Sequence, residues 1–215
     1  VRDAGRVLGH AYGFVDRVAK LIPFEIGMTL NKALKQEAEV RGLYESDDEV
    51  RGLIDLASQL EGLVRNAVEN TPDGANISVK VRKGEIGPEF EVKDNGIGIS
   101  DENLRLIFEN YFISYDTMQY STRQPFDFKA GGKGFDLLRL KIFSERYNFN
   151  IKMTSQPCKF VDTKGHECPG NVVDCTPLAG ADDCHNSGGT TVRVQFYPAE
   201  RFTKRLPSDK KQTLD

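Results

Sequence analysis

The 215 residues suffice for one domain with an appendage, but not for two full domains. Hydrophobic residues make up 39% of the chain and charged residues 28%, which is typical of a protein with a packed core. Thirteen Phe and seven Tyr exclude disorder throughout, the lack of a run of ~18 apolar residues excludes a membrane span, and a net charge of −3 disfavours a broad nucleic-acid-binding surface.

The first 42 residues are predicted to be helical, because apolar side chains recur every three or four positions. Pro23 interrupts this pattern, and Gly42 is expected to end it. We therefore divide the chain into an N-terminal helical segment at 1–42, a main domain at 43–198 and a polar tail at 199–215. The chain starts at Val1 without a Met or a signal peptide, so we expect a piece of a longer protein.

A long helix is predicted from about residue 46 to Asn70, because Ser46 followed by Glu49 has the pattern of a capping box. One face of this helix is apolar, and another is polar. The polar face carries Gln59, Gly62, Asn66 and Asn70. Glycine inside a helix costs ~1 kcal/mol relative to alanine, so Gly62 indicates either a ligand that approaches closely or tight helix packing.

Alternating apolar residues predict a hairpin whose strands contain residues 77–81 and 90–92. A turn at 94–98 and a short helix near 101–109 follow. Residues 113–131 are polar and irregular, and a loop of this length in a compact domain is typically functional or disordered.

The remaining elements of the main domain follow that loop. An apolar helix is predicted from Phe135, and strands are predicted around 149–153 and 192–196. Between these two strands, residues 157–189 are rich in Cys, Gly, Asp and Pro, and we interpret them as an insertion.

Three features could bind a ligand. Asp94 ends a strand and is followed by Gly96 and Gly98, so its carboxylate could accept a hydrogen bond from an amino group such as that of adenine. Glycines around Lys133, just before a helix, could bind phosphate through backbone N–H groups. The side-chain oxygen of Asn66 could ligate Mg²⁺. Each alone is a weak signal, since turns, hinges and solvated helix faces use the same residues.

The order of these features is more specific than any one of them. Residues 63–71 resemble the N box of sensor histidine kinases, 94–99 the G1 box, 107–112 the F box and 132–137 the G2 box. The chain therefore resembles the Bergerat-fold (GHKL) ATPases, which include histidine kinases, gyrase, mismatch-repair ATPases and heat-shock chaperones. The resemblance covers roughly residues 55–155 and the final strand.

This resemblance implies an α+β fold, a two-layer α/β sandwich in which helices cover one face of a mixed sheet. It places ATP between the N-box helix and the loop at 113–131, with Mg²⁺ held by Asn66 as the catalytic residue and the adenine amine bonded to Asp94. Arg123 is a further cation of that loop. The other cofactor contacts that the resemblance implies are Asn70, Gly96, Gly98, Lys129, Gly132, Lys133 and Gly134.

Three departures from the family pattern affect the expected chemistry. Gly62 stands where kinases usually have a second Asn and where the hydrolases have a water-activating Glu. Glu61 is one position away, so hydrolysis by that route is not expected. Asp136 replaces a usual Gly of the G2 box and adds negative charge near the phosphates unless it caps the following helix.

The predicted function is that of the ATP-binding catalytic domain of a histidine-kinase-like signalling protein. It would donate the γ-phosphoryl group to a histidine outside this fragment, because His10 lies only 56 residues before Asn66, too few for a phosphoacceptor hairpin as well. The alternative is a module that binds ATP without phosphotransfer. A DNA-linked or chaperone-type ATPase is disfavoured, because position 62 is not Glu.

The same resemblance sets the expected partners and location. They are ATP, a phosphoacceptor histidine domain and a response regulator, with a parent protein that is a homodimer. We expect the fragment in the cytoplasm, without contact to nucleic acid or membrane.

The cysteines of the insertion leave three alternatives open. They are Cys158, Cys168, Cys175 and Cys184, with His166 and His185 beside them. Their spacings contain no Cys-x₂₋₄-Cys knuckle, yet the two histidines are compatible with a mixed Zn²⁺ site. We place Zn²⁺ ahead of unmodified thiols, and disulfides third because the cytoplasm disfavours them.

Overall fold

The computed structural model describes residues 1–108, 136–147, 149–161 and 166–197. The helices in these residues are α1 (Arg2–Leu8), α2 (Tyr12–Lys20), α3 (Leu30–Gln36), α4 (Ala38–Ser46), α5 (Asp48–Glu69), α6 (Asp101–Leu106), α7 (Asp136–Tyr147) and α8 (Ala181–His185). The strands are β1 (Ile77–Lys83), β2 (Pro88–Asp94), β3 (Phe149–Gln156) and β4 (Gly189–Phe196).

The four described strands form one sheet in the order β1–β2–β4–β3, in which every neighbouring pair is antiparallel. The predicted α+β, two-layer architecture is confirmed, but the sheet is not mixed within the described residues. β2 and β3 run in the same direction and would pair in parallel if they were neighbours. β4 lies between them and pairs antiparallel with both, so the described strands contain no parallel pair.

The two faces of the sheet differ in polarity because side chains alternate along each strand. One face is buried under α5 and α7. Its central side chains are Phe90, Val92, Val192, Val194 and Phe196. The other face is charged, with Glu91 of β2 opposite Arg193 of β4 and bonded to its guanidinium group. Helices are therefore needed on one face only.

Helix α5 begins one residue later than predicted, because Asp47 caps it and Ser46 does not. The backbone of Asp47 is extended, and its Oδ1 accepts hydrogen bonds from the N–H groups of Glu49 at 2.9 Å and Val50 at 3.1 Å. Ser46 is still helical as the last residue of α4, and its hydroxyl donates to the carbonyl of Gly42. Gly42 lies inside α4 and does not end the helix.

Helix α5 is the central element of the fold. It packs against α1, α3 and α4 of the N-terminal segment and also against α7, β1 and β2. The core is continuous across these contacts. The side chains of α5 that are completely inaccessible to solvent are Val50, Leu53, Ile54 and Leu56.

None of the helices in the described residues is long and apolar enough to cross a membrane.

Replacing Leu53 by Ala should lower the free energy of unfolding by about 2–5 kcal/mol, because it leaves a cavity between α5 and its neighbours. The matched control is Leu106→Ala on α6, where the side chain is exposed and the loss should stay below about 0.5 kcal/mol. Urea unfolding measures both. Equal losses for the two variants would contradict a core organised around α5.

Candidate functional site

A cleft of about 450 Å³ lies between α5, the ends of β2 and β4, and the turn that follows β2. Its volume falls within the ~300–1,000 Å³ of typical small-molecule sites. The predicted site residues that line it are Asn66, Asn70, Asp94, Gly98 and Cys168. Pro157, Val161 and Glu167 form one wall of the cleft together with Cys168. The long helix and the end of β2 thus bring two of the predicted motifs together.

Asp94 is the buried charged group of this cleft, with 6% of its surface exposed. Its Oδ1 accepts two backbone hydrogen bonds, from Gly96 N–H at 2.9 Å and from Thr190 N–H at 3.1 Å. Burial raises the pKa of this carboxyl to about 6, although the two hydrogen bonds act in the opposite direction. The carboxyl group is therefore fixed in orientation and largely shielded from water.

The two glycines of the turn are required by the protein's own backbone. A Cβ on Gly96 would collide with the carbonyl oxygen of Asn70, and a Cβ on Gly98 would collide with that of Gln156. Gly98 also has a positive φ of 67°. Gly98 lines the cleft, whereas Gly96 lies behind Asp94 and lines a smaller cavity. Both glycines are therefore required by the packing of the turn against its own chain.

Asn66 and Asn70 lie one turn apart near the end of α5. Asn70 Nδ2 donates a hydrogen bond of 2.8 Å to the Asn66 carbonyl and lies 3.4 Å from Asn66 Oδ1. Asn66 Oδ1 is a neutral oxygen donor, which is the ligand type that Mg²⁺ accepts. Gly62, one turn earlier, adds no side chain and lines a separate cavity of about 340 Å³.

Glu61 is committed to another contact. Its Oε2 accepts a hydrogen bond of 3.0 Å from the N–H group of Leu30, the first residue of α3. A carboxylate at this position stabilises a helix N-terminus. Glu61 lines the same separate cavity as Gly62, so its carboxylate is not directed at the cleft beside Asp94.

The predicted phosphate contacts lie outside the described residues. They are Lys129, Gly132, Lys133 and Gly134, together with Arg123 of the same loop.

Two residues that the sequence did not single out position Asp94 and the turn. Thr190 lines the cleft and donates its N–H to Asp94, and its hydroxyl lies 2.8 Å from Ser155 Oγ. Ser155 Oγ also accepts a 2.8 Å hydrogen bond from Ile99 N–H. The sequence signal that could have identified Thr190 is the pair of β-branched residues after Gly189. This pair extends β4 from Val192 towards its N-terminal end.

The cysteines meet, but the predicted zinc site is not supported. All four line one small cavity of about 20 Å³, with His166 among the other lining residues. Across the described residues, no group of three or more His, Cys, Asp or Glu side chains could hold a metal ion. None of the four cysteines is in a disulfide. The thiols line this cavity together with larger apolar side chains, among them Phe160, Val172 and Leu178.

The two remaining histidines also have structural surroundings. His185 Nε2 lies 3.3 Å from the carbonyl of Gly74, so it does not complete a site with the thiols. His10 lies between α1 and α2 and packs on the ring of Phe14, with 5.1 Å between ring centroids.

The two-layer fold and a nucleotide-sized cleft beside a buried carboxylate are the features expected of an ATP-binding domain of the ATPase class. The sequence model of the histidine kinase-, DNA gyrase B-, and HSP90-like ATPases matches residues 54–200. The chain belongs to this family, and the predicted resemblance is confirmed.

A solved mycobacterial sensor histidine kinase, MprB, is similar to the chain with a TM-score of 0.40 and 16% sequence identity. The alignment covers 68% of this chain and 70% of that one.

The N-terminal part of the chain is similar to a different protein. A family model described as the bacterial DNA polymerase III alpha NTPase domain matches residues 1–70. DNA polymerase III subunit alpha from Pasteurella multocida (strain Pm70) and from Escherichia coli (strain K12) is 60% identical over 48 residues. These residues are 22% of this chain but only 4% of each of those proteins. The two family matches overlap at residues 54–70, within α5.

Replacing Gly96 by Ala should lower the free energy of unfolding by about 1–3 kcal/mol, because the new methyl group collides with the Asn70 carbonyl. Gly42→Ala is the matched control, since nothing lies within 4 Å of the position of its Cβ and helix propensity should raise stability by about 0.5–1 kcal/mol. Chemical denaturation distinguishes the opposite signs. A neutral Gly96→Ala would show that the α5–turn contact is not close.

The stability of the chain should depend on pH through Asp94. The folded-state pKa of about 6 lies above the ordinary value of 3.8, so the folded chain binds this proton more tightly than the unfolded chain. The stability that protonated Asp94 contributes is present below about pH 4 and is lost as the pH rises through about 6. The wild type should therefore lose stability relative to Asp94→Asn over this range, as measured by urea unfolding at several pH values. A difference that does not change with pH would contradict the burial of this carboxyl.

Proposed function

We propose that the chain binds Mg–ATP in the cleft beside Asp94 and serves as the catalytic domain of a histidine-kinase-like signalling protein. It donates the γ-phosphoryl group to a histidine outside residues 1–215. The observation that carries the proposal is the buried Asp94 carboxyl, which two backbone N–H groups hold at one oxygen.

Asp94 recognises adenine through its second oxygen. Since Oδ1 accepts from Gly96 and Thr190, Oδ2 accepts the exocyclic amine of the base. A hydrogen bond to a carboxylate in a water-poor site is stronger than the same bond in water. The apolar side chains of Val92 and Val192 line the cleft beside Asp94 and can contact the base.

Asn66 would hold Mg²⁺ through Oδ1. By fixing the position of the ion, Asn66 would also orient the phosphates. Mg²⁺, when bound, neutralises charge on the phosphates during transfer. Asn70 lies beside Asn66, and its Nδ2 donates to Asn66 Oδ1 at 3.4 Å, which helps to orient that side chain. Lys129, Gly132, Lys133 and Gly134, which follow the F box in the sequence, would complete the phosphate contacts, as the resemblance implies.

We favour phosphoryl transfer over hydrolysis, because α5 places no water-activating carboxylate at the cleft. Position 62 is Gly, and Glu61 accepts its hydrogen bond from Leu30. We expect no steady release of phosphate from ATP by the purified chain.

The acceptor histidine belongs to another segment or protein. Helices α1 to α4 have only seven to nine residues each, so they do not form the long hairpin that carries an acceptor in histidine kinases. The match of residues 1–70 to a polymerase family model agrees with this view. We propose a separate phosphoacceptor domain, a response regulator and a dimeric parent protein in the cytoplasm.

A second candidate function is that of a module that binds ATP without transferring phosphate. Gly62 favours it, because this position lacks the second Asn side chain that the kinases use beside the metal. The binding of adenine by Asp94 is common to both candidates.

Replacing Asp94 by Ala should weaken Mg–ATP binding by about 1–3 kcal/mol, or about 5- to 150-fold, because the adenine amine loses its acceptor. Isothermal titration calorimetry measures the change. The control is Glu85→Gln at the exposed tip of the β1–β2 hairpin, at the opposite end of β2 from Asp94. Equal affinities of the wild type and Asp94→Ala would contradict the proposal.

Labelled ATP distinguishes the two candidates. The chain is mixed with separate histidine phosphoacceptor domains, and formation of an acid-labile, base-stable phosphoprotein supports the kinase. Tight Mg–ATP binding without any label supports the binding module.

A further inference from the structure

The four cysteines share one small cavity, which is lined mainly by apolar side chains. At about 20 Å³ it is large enough for a water molecule but not for an organic ligand. The arrangement of the described His, Cys, Asp and Glu side chains does not suit a metal ion. Because neither an organic ligand nor a metal ion suits this cavity, the reaction left to the thiols is with each other.

Ser187 connects the thiol of Cys158 to the backbone of Cys184. Cys158 Sγ donates to Ser187 Oγ at 3.2 Å, and Ser187 Oγ donates to the carbonyl of Cys184 at 2.8 Å. Ser187 is 1% exposed and Cys184 is 8% exposed, so this contact lies inside the insertion. Lys159 N–H also donates to the Ser187 carbonyl at 3.0 Å, which ties the two ends of the insertion together.

We propose that Cys158 and Cys184 are an oxidisable pair that forms a reversible disulfide by exchange with a small-molecule disulfide such as oxidised glutathione. The more accessible Cys158 thiolate attacks the oxidant, which gives a mixed disulfide and releases one small thiol. The Cys184 thiolate then attacks the Cys158 sulfur and releases the second small thiol. The two cysteine protons end on the two released thiols, and the two electrons reduce the oxidant.

Burial raises the pKa of the Cys184 thiol. Since the thiolate is the attacking species, ring closure should become faster as the pH rises towards that pKa.

This bond acts on the wall of the ATP cleft. The N–H group of Cys158 donates to the carbonyl of Ile97 at 2.8 Å, in the turn that follows Asp94. The neighbouring Pro157 and Val161 line the cleft itself. A covalent link from Cys158 to Cys184 fixes this wall and reduces the entropy lost on binding. The effect on ATP rests on the proposed function, whereas formation of the bond does not.

The test incubates the purified chain with oxidised and reduced glutathione at a series of ratios, followed by alkylation of remaining thiols and peptide mass spectrometry. The expected product is one cross-linked peptide pair, Cys158 with Cys184, which dithiothreitol reverses. Cys184→Ser should abolish it, and the matched Cys175→Ser should retain it. Absence of this peptide pair, or a cross-link confined to Cys168 and Cys175, would overturn the proposal.

Mg–ATP titration of the oxidised and reduced chain tests the link to the cleft. The oxidised wild type should bind about threefold more tightly, and Cys184→Ser should show the same affinity under both conditions. An unchanged affinity after confirmed cross-linking would overturn the regulatory part. If neither form binds Mg–ATP but the peptide pair is found, the proposed function fails while the disulfide is supported.

Discussion

The cleft depends on one contact between the end of α5 and the turn after β2. The carbonyl of Asn70 accepts a 3.0 Å hydrogen bond from Ile97 N–H, and Gly96 has no side chain to keep the two backbones apart. This contact holds α5 and β2 at a fixed separation. As a result, Asn66 and Asp94 line one cleft although 28 positions separate them in the sequence. Both the metal and the adenine proposals rely on this geometry.

Helix α5 also joins two parts of different similarity. The polymerase-like match ends in it and the ATPase match begins in it, at residues 54–70. Its packing explains how one helix serves both parts, since it contacts the N-terminal helices as well as the sheet. The hydrogen bond from Leu30 to Glu61 belongs to this interface. It commits the Glu61 carboxylate to the contact between the two parts and away from the cleft beside Asp94.

Much of the fold was predictable because local patterns determine it. The alternation around Val79 and Val92 predicted the hairpin of β1 and β2, and the turn after Asp94 predicted the strand end that faces the cleft. The errors have specific physical causes. Ser46 matched a capping box, but the cap is the neighbouring residue with extended backbone. The sheet order depends on β4 inserting between β2 and β3, which is a long-range choice that no local pattern shows.

The site was predicted in part for the same reason. Asp94 and Asn66 belong to contiguous motifs, whereas Thr190 and Ser155 act only through contacts that the folded sheet creates. The clustering of the four cysteines in the sequence predicted that they lie close together, but it did not determine their chemical role. Their convergence on a small apolar cavity fits a packing role and a thiol pair better than the predicted zinc site.

The most direct test of the central claim is a comparison of Mg–ATP with Mg–GTP by calorimetry on the purified chain. Guanine presents a carbonyl oxygen where adenine presents its amine. The Asp94 carboxylate should therefore repel guanine and bind adenine. We expect ATP to bind at least roughly tenfold more tightly than GTP, since an unpaired or repelled polar group costs more than about 1 kcal/mol. Equal binding of the two nucleotides, or binding of neither, would contradict it.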